Sequence, residues 1–304
     1  MNKIQKFMHK HTILSAVILT VLIMFMYNYL GAYLPASEEN QILSLPLTAF
    51  KIFLAVLVML YLFVFGFCGR EILTFKNTKK SAEIILPVAG IIFIEFLVVF
   101  VSSIKNVTPV KLILYLLGLL GIGIFEEFLF RVGVLQILLS KWRNSIEDYE
   151  KAAVVCGIFF GAVHLTNILG GNASLYVFGQ CVLAAVTGYA LSVLYIITKN
   201  IWGCVLFHTI FDSVSTFGLI FGKKAVSSSI SSVQYTLGNN SDNKVKDILM
   251  VVVFYAVVAA FSAVMFNLGR KLLYFSENMK DKKDKTKTDI FLEKLLKIED
   301  FPSK

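Results

Sequence analysis

Long apolar stretches of about 20 residues recur along most of this 304-residue chain, separated by short polar segments. An α-helix needs about 20 predominantly apolar residues to cross the hydrocarbon core of a bilayer. Eight stretches meet that length, at residues 12–33, 48–68, 83–104, 110–139, 152–169, 174–197, 201–221 and 247–270. The pattern predicts an all-α, polytopic membrane helix bundle with about eight transmembrane helices.

The composition supports a membrane protein. Hydrophobic residues make up 57% of the chain and charged residues 16%, and the mean hydropathy is +0.75. A soluble globular domain has about 25% charged residues. The first stretch follows three lysines, as the core of a signal peptide would, but it is longer than the usual 7 to 15 residues of such a core. We therefore expect it to remain as a helix.

The distribution of basic residues predicts the orientation of the bundle. With a cytoplasmic amino terminus, 21 of the 29 lysines and arginines fall on the cytoplasmic side, 7, among them Lys51, fall outside, and Arg131 lies within the bilayer. This bias places both termini in the cytoplasm. The net charge of +9 then reflects topology and contact with anionic lipids of the bilayer. The sequence has no basic face with interleaved aromatic residues, so nothing in it indicates a nucleic-acid partner.

These expectations divide the chain into five parts and place it as a multi-pass integral protein of a bacterial plasma membrane. The parts are three amino-terminal transmembrane helices (1–109), a core of helices four to seven (110–221), an external loop (222–246), an eighth helix (247–271) and a mixed-charge, basic cytoplasmic tail (272–304).

Two adjacent glutamates and an arginine interrupt the apolar stretch 110–139. Each charged side chain near the centre of a membrane helix costs about 2.5 to 3.5 kcal/mol, so Glu126, Glu127 and Arg131 indicate a functional site. Glu127 and Arg131 are four residues apart, the favourable order for an ion pair on one helix face. Glu126 is rotated about 100° from Glu127. Glu126 is therefore the less compensated carboxylate and the candidate general base.

A histidine lies inside the fifth stretch, beside a pair of glycines. His164 ends the run that begins at Phe160, and Gly157 with Gly161 forms a GxxxG step. Such a step lets a neighbouring helix backbone approach closely. The sequence predicts a tight helix contact next to His164.

A second histidine shares a helix face with an aspartate in the seventh stretch. His208 and Asp212 are four residues apart. At a rise of 1.5 Å per residue, Glu126, His164, His208 and Asp212 all lie about 12 to 20 Å from the cytoplasmic ends of their helices. They can occupy one layer near the middle of the membrane.

These residues carry a resemblance to a known family. Glu126-Glu127-Phe-Leu-Phe-Arg131 resembles its EExxxR motif, Phe160 to His164 resembles FxxxH, and His208 to Asp212 resembles HxxxN/D. The family is that of the CAAX proteases and bacteriocin-processing enzymes (CPBP, or Abi), intramembrane endopeptidases that include CAAX prenyl endopeptidases. The resemblance covers about residues 110–221.

The resemblance implies hydrolysis of a peptide bond by water in a peptide or a membrane-tethered protein precursor. By position, Glu126 and His164 would activate the water, and His208 and Asp212 would face the developing negative charge. The supporting residues would be Glu127, Arg131 and Phe160.

Two questions about the chemistry stay open at this point. An ionised Asp212 would repel an oxyanion, so Asp212 must be protonated or must orient His208. We expect no cofactor, but zinc is the alternative, held by His164, His208 and a carboxylate of Glu126 or Asp212. No HExxH motif supports the zinc alternative.

Two other classes of function would also use such a bundle. One is a non-catalytic membrane scaffold or bacteriocin self-immunity protein that keeps the motif residues. The other is a transporter with the glutamate and histidine cluster as a proton relay.

Overall fold

The computed structural model describes residues 2–34, 41–67, 77–85, 107–168, 174–221 and 244–278. The regular secondary structure of these residues is helical throughout. Most of the predicted third span 83–104, of the loop 222–246 and of the tail 272–304 lies outside the described residues, as do the chain termini.

The described part of the chain contains the following helices. In chain order they are α1 (Lys3–Lys10), α2 (Thr12–Gly31), α3 (Leu45–Phe65), α4 (Pro109–Glu127), α5 (Leu135–Leu139), α6 (Ile146–Val163), α7 (Ser174–Thr198), α8 (Ile201–Phe221) and α9 (Lys244–Asn278). A π-helical segment, Phe128–Val134, joins α4 to α5, and 3₁₀ turns cover Gln41–Leu43 and His164–Ile168. Residues 78–85 are also helical.

Five helical segments of the described part are long and apolar enough to cross a membrane. They are Thr12–Gly31, Leu45–Phe65, Pro109–Leu139, Ile146–Ile168 and Val177–Thr198, and Ile201–Ser213 is a shorter apolar helix. The protein is therefore a polytopic all-α membrane bundle, as predicted. The total of eight spans and the cytoplasmic position of both termini stay predictions.

Local sequence signals set the helix ends. The Ser44 hydroxyl accepts a hydrogen bond from the Leu47 backbone amide at the start of α3, and Gly66, with φ of 76°, ends that helix in the left-handed conformation. Thr108 caps α4 and Ser145 caps α6 in the same way. The cap at Ser145 starts α6 six residues before the predicted span 152–169.

Two helices differ from the predicted pattern. The basic amino-terminal segment forms a separate helix, α1, which begins with reciprocal capping by the side chains of Asn2 and Gln5 and ends at His11, whose backbone is not helical. At the other end, α9 continues past residue 270 to Asn278. Its last turns are held to α6, since the Arg270 Nε atom lies 3.2 Å from Glu150 Oε1 and the Tyr274 hydroxyl donates to Glu150 Oε2 at 2.6 Å.

Small residues allow the helices of the site to approach closely. A Cβ atom at Gly157 would lie 2.5 Å from the carbonyl oxygen of Ala185 on α7, so the predicted tight contact is confirmed. Thr48 of α3 packs against Gly121 of α4, and Thr209 of α8 packs against Gly123. These contacts bring α3 and α8 against the part of α4 that leads into the glutamate pair.

Candidate active site

A buried ion pair lies where α4 changes into the π-helical segment. Arg131 Nη1 is 3.0 Å from Glu127 Oε1, and neither side chain has any exposed surface. Arg131 Nη2 also donates to the carbonyl oxygen of Gly188 on α7 at 3.3 Å. Glu127 and Arg131 thus form the ion pair that their spacing of four residues predicts. The π-helical segment itself was missed, because the sequence predicts one continuous helix over 110–139, and such segments often accompany functional sites.

Glu127 also binds His208, a contact that the sequence analysis did not predict. The Nδ1 atom of His208 lies 2.7 Å from Glu127 Oε1. An ionised carboxylate only accepts hydrogen bonds, so Nδ1 is the donor. The same carboxylate therefore connects Arg131 on the π-helical segment with His208 on α8.

The other nitrogen of His208 faces two further carboxylates. Its Nε2 atom is 3.5 Å from Asp212 Oδ2 and 3.6 Å from Glu126 Oε2. The side chains of Glu126 and Asp212 are 24% and 25% exposed, whereas Glu127 is fully buried. Two accessible carboxylates thus flank the imidazole on one side and a buried carboxylate holds it from the other.

Phe160 packs against the other motif residues. Its ring centroid lies 5.2 Å from that of His164 and 5.7 Å from that of His208, and the Arg131 guanidinium carbon is 4.9 Å from it. The ring is buried. It therefore contacts Arg131 and both histidines and restricts the orientation of all three.

His164 stands at the end of α6, where the helix tightens into a 3₁₀ turn. Its Nδ1 atom lies 2.9 Å from the Phe160 carbonyl oxygen, which only accepts, so Nδ1 donates and a neutral ring carries its lone pair on Nε2. His164 interacts electrostatically with Glu126, at longer range than His208 does.

Two residues from the amino-terminal helices reach the same layer and were not predicted to do so. Tyr27 of α2 stacks on Phe125 at 5.2 Å and interacts with the charge of Glu126. Lys51, expected outside the membrane, is instead buried in α3, where it interacts with the charges of Glu126 and Asp212. A lysine within a run of apolar residues was the available signal.

The part of the chain that the structure describes contains no group of three histidine, cysteine, aspartate or glutamate side chains arranged to hold a metal ion. The expectation of no cofactor and the zinc alternative, with ligands from His164, His208, Glu126 and Asp212, both stay predictions.

Comparison with known proteins identifies the class. Residues 108–214 match the family model described as type II CAAX prenyl endopeptidase Rce1-like. The matched segment covers about a third of the chain and contains all three motifs. This segment is therefore similar to the CAAX protease and bacteriocin-processing family, in agreement with the resemblance carried by the three motifs. No curated protein and no solved structure matches the chain.

Proposed function

We propose that this protein is an intramembrane endopeptidase that uses water to cleave a peptide or a membrane-tethered protein precursor. The observation that carries the proposal is the position of His208 Nε2, within 3.6 Å of two partly exposed carboxylates at membrane depth. Such an arrangement places proton acceptors beside a hydrogen-bond donor, the two kinds of group that peptide-bond hydrolysis uses. The protein acts in the plasma membrane of a bacterium.

Glu126 and His164 activate the water in this mechanism. Glu126 is the accessible member of the glutamate pair, and the lone pair of neutral His164 lies on Nε2 because Nδ1 donates to Phe160. The water oxygen attacks the carbonyl carbon of the scissile bond, and its proton passes to this pair of acceptors. The same proton is then returned to the leaving amine when the carbon–nitrogen bond breaks.

His208 stabilises the oxyanion in this mechanism. The Nδ1–H group of His208 donates a hydrogen bond to Glu127, so a neutral ring has no hydrogen on Nε2. His208 can therefore donate from Nε2 to an oxyanion only as an imidazolium. Three carboxylates around the ring, those of Glu126, Glu127 and Asp212, stabilise that positive charge. A donor aimed at an oxyanion contributes about 2.7 to 4 kcal/mol to catalysis.

Asp212 orients His208 in this mechanism. Its carboxylate holds Nε2 from the same helix at 3.5 Å, so the ring is fixed from both nitrogens before a substrate enters. Glu127, Arg131 and Phe160 form the support behind the ring and do not contact the reacting atoms.

The test compares two glutamate-to-glutamine variants in detergent. Glu126→Gln removes the proposed base, whereas Glu147→Gln makes the same change on the exposed first turn of α6. Each folded protein is incubated with a pooled peptide library that includes lipidated members, and products are identified by mass spectrometry. We expect cleavage by the wild type and by Glu147→Gln, and a loss of about 100-fold or more in Glu126→Gln.

Products that appear equally with Glu126→Gln contradict the assignment of the base. A folded wild type that cleaves no library member contradicts the endopeptidase proposal and favours the scaffold or immunity alternative.

A further inference from the structure

Lys51 occupies an unusual position for a lysine in a membrane helix. It lies in the second turn of α3, and its side chain is 3% exposed. The next two residues, Ile52 and Phe53, are 43% and 50% exposed on the outer surface of the bundle. Lys51 therefore points into the bundle while its neighbours point to the lipid.

Membrane anchoring does not explain this orientation. A lysine near a helix end normally extends its ammonium group towards the aqueous interface, with the stem along the apolar surface. Such a side chain would keep its charged end exposed. Lys51 is buried instead, so its charge must be compensated by groups inside the bundle.

The packing of α3 on α4 directs Lys51 towards the glutamate pair. Thr48, one turn before Lys51, packs against Gly121, and Val58 packs against Gly133 further along, so the two helices run in the same direction. Lys51 therefore lies at the level at which α4 approaches Glu126. The charges of Glu126 and Asp212 both act on Lys51.

The charges at the membrane depth of Glu126, Glu127 and Asp212 balance only when the charge of Lys51 is included. Three carboxylates lie at this depth, and Arg131 is the one permanently cationic side chain among the motif residues. Protonated His208 supplies a second positive charge. Lys51 supplies the third, against the carboxylates of Glu126, Glu127 and Asp212.

We propose that Lys51 is a positioning residue of the active site, whose ammonium group compensates the carboxylates of Glu126 and Asp212 together, so that an ionised aspartate can orient His208 without repelling the oxyanion. The inference rests on the proposed endopeptidase function. It removes the need for a protonated Asp212. It also predicts that Lys51 matters more while residue 212 carries a charge than after that charge is removed.

The test is a double-mutant cycle on the full chain in detergent. The variants are Lys51→Met, Asp212→Asn and the two combined, with Lys51→Arg as the conservative change and Lys141→Met as a control at an exposed lysine. We expect Lys51→Met to lower kcat about tenfold with little change in KM, and to lower it about threefold or less in the Asp212→Asn background, as expected for coupled charges. Lys51→Arg, which keeps the charge, should retain more activity than Lys51→Met, and Lys141→Met should stay near the wild type.

A Lys51→Met effect of the same size in both backgrounds overturns the proposal. Thermal unfolding of the same variants gives a second cycle that needs no substrate. If the wild type shows no activity above Glu126→Gln, the proposed function fails, and this second cycle decides the proposal on Lys51. Non-additive changes in Tm support the charge compensation, and additive changes overturn it.

Discussion

The Nδ1 atom of His208 donates a hydrogen bond to Glu127 Oε1 at 2.7 Å, and this bond joins α8 to the end of α4 inside the bundle. The same oxygen lies 3.0 Å from Arg131 Nη1, so Glu127 contacts both the permanent charge of Arg131 and the imidazole of His208. The adjacent Glu126 keeps 24% of its side chain exposed and does not contact Arg131; it lies 3.6 Å from the other nitrogen of His208, Nε2. We therefore expect Glu127 to contribute chiefly to stability and Glu126 to contribute chiefly to catalysis.

The first prediction follows from that division. Glu127→Gln leaves the fully buried guanidinium of Arg131 without a compensating charge, so we expect it to destabilise the protein by about 3 to 5 kcal/mol. Thermal unfolding in detergent, followed by circular dichroism, measures the effect. Glu126→Gln serves as the matched control and should shift Tm much less. Equal shifts for the two variants would contradict the division.

The sequence could predict those features of the site that depend on one helix at a time. The ion pair of Glu127 with Arg131 and the pairing of His208 with Asp212 follow from a spacing of four residues. The common depth of the motif residues follows from the helical rise. Both relationships are local and need no knowledge of helix packing.

Contacts between helices could not be predicted in this way. Glu127 and His208 are 81 residues apart, and their bond depends on the rotation of α4 and α8 about their axes. Lys51 was assigned to the outside by a count of charges, which does not show whether a side chain points towards lipid, water or protein. The π-helical segment leaves no clear pattern in an almost wholly apolar sequence.

The second prediction concerns the contact between α6 and α7. A methyl group at Gly157 would lie 2.5 Å from the Ala185 carbonyl oxygen and 2.8 Å from the Tyr189 backbone nitrogen. Because backbone atoms cannot move away cheaply, we expect Gly157→Ala to destabilise the protein by about 1 to 3 kcal/mol. The shift of α7 would also move Gly188, whose carbonyl oxygen accepts from Arg131.

The matched control for this change is Gly31→Ala at the end of α2, where a Cβ atom would meet its nearest neighbour at 3.6 Å. This variant should unfold within a few degrees of the wild type. A Gly157→Ala protein as stable as the control would show that the two helices separate easily, against the close contact described above.

The third prediction tests the aromatic ring that contacts Arg131 and the histidines. Phe160→Leu keeps a large apolar side chain but removes the ring that contacts the guanidinium and both imidazoles. A desolvated cation–π contact contributes about 2 kcal/mol, so we expect a comparable loss of stability. Loss of orientation at two catalytic groups should also lower kcat about tenfold or more.

The control is Phe63→Leu, since the ring of Phe63 is 74% exposed on the outer surface of α3. Tm and kcat are measured for both variants. A drop in kcat shared by the two, or a Phe160→Leu enzyme with an unchanged kcat, would argue against an orienting role for the ring.

The last prediction concerns metal removal. Zinc-binding histidines commonly donate their second ring N–H to a carboxylate, as His208 does to Glu127. The described residues nevertheless hold no three suitable ligand side chains in a metal-binding arrangement. With Glu126 and His164 as the proton acceptors, hydrolysis needs no metal-bound water. We therefore expect the cleavage rate, measured on the same substrate peptide, to persist after extended dialysis against a strong zinc chelator.

A loss of activity that added zinc restores would replace this mechanism by the metal-dependent one, with His208 as a ligand oriented by Glu127. A loss that zinc does not restore would indicate damage to the protein, and Tm measured before and after dialysis separates these two outcomes.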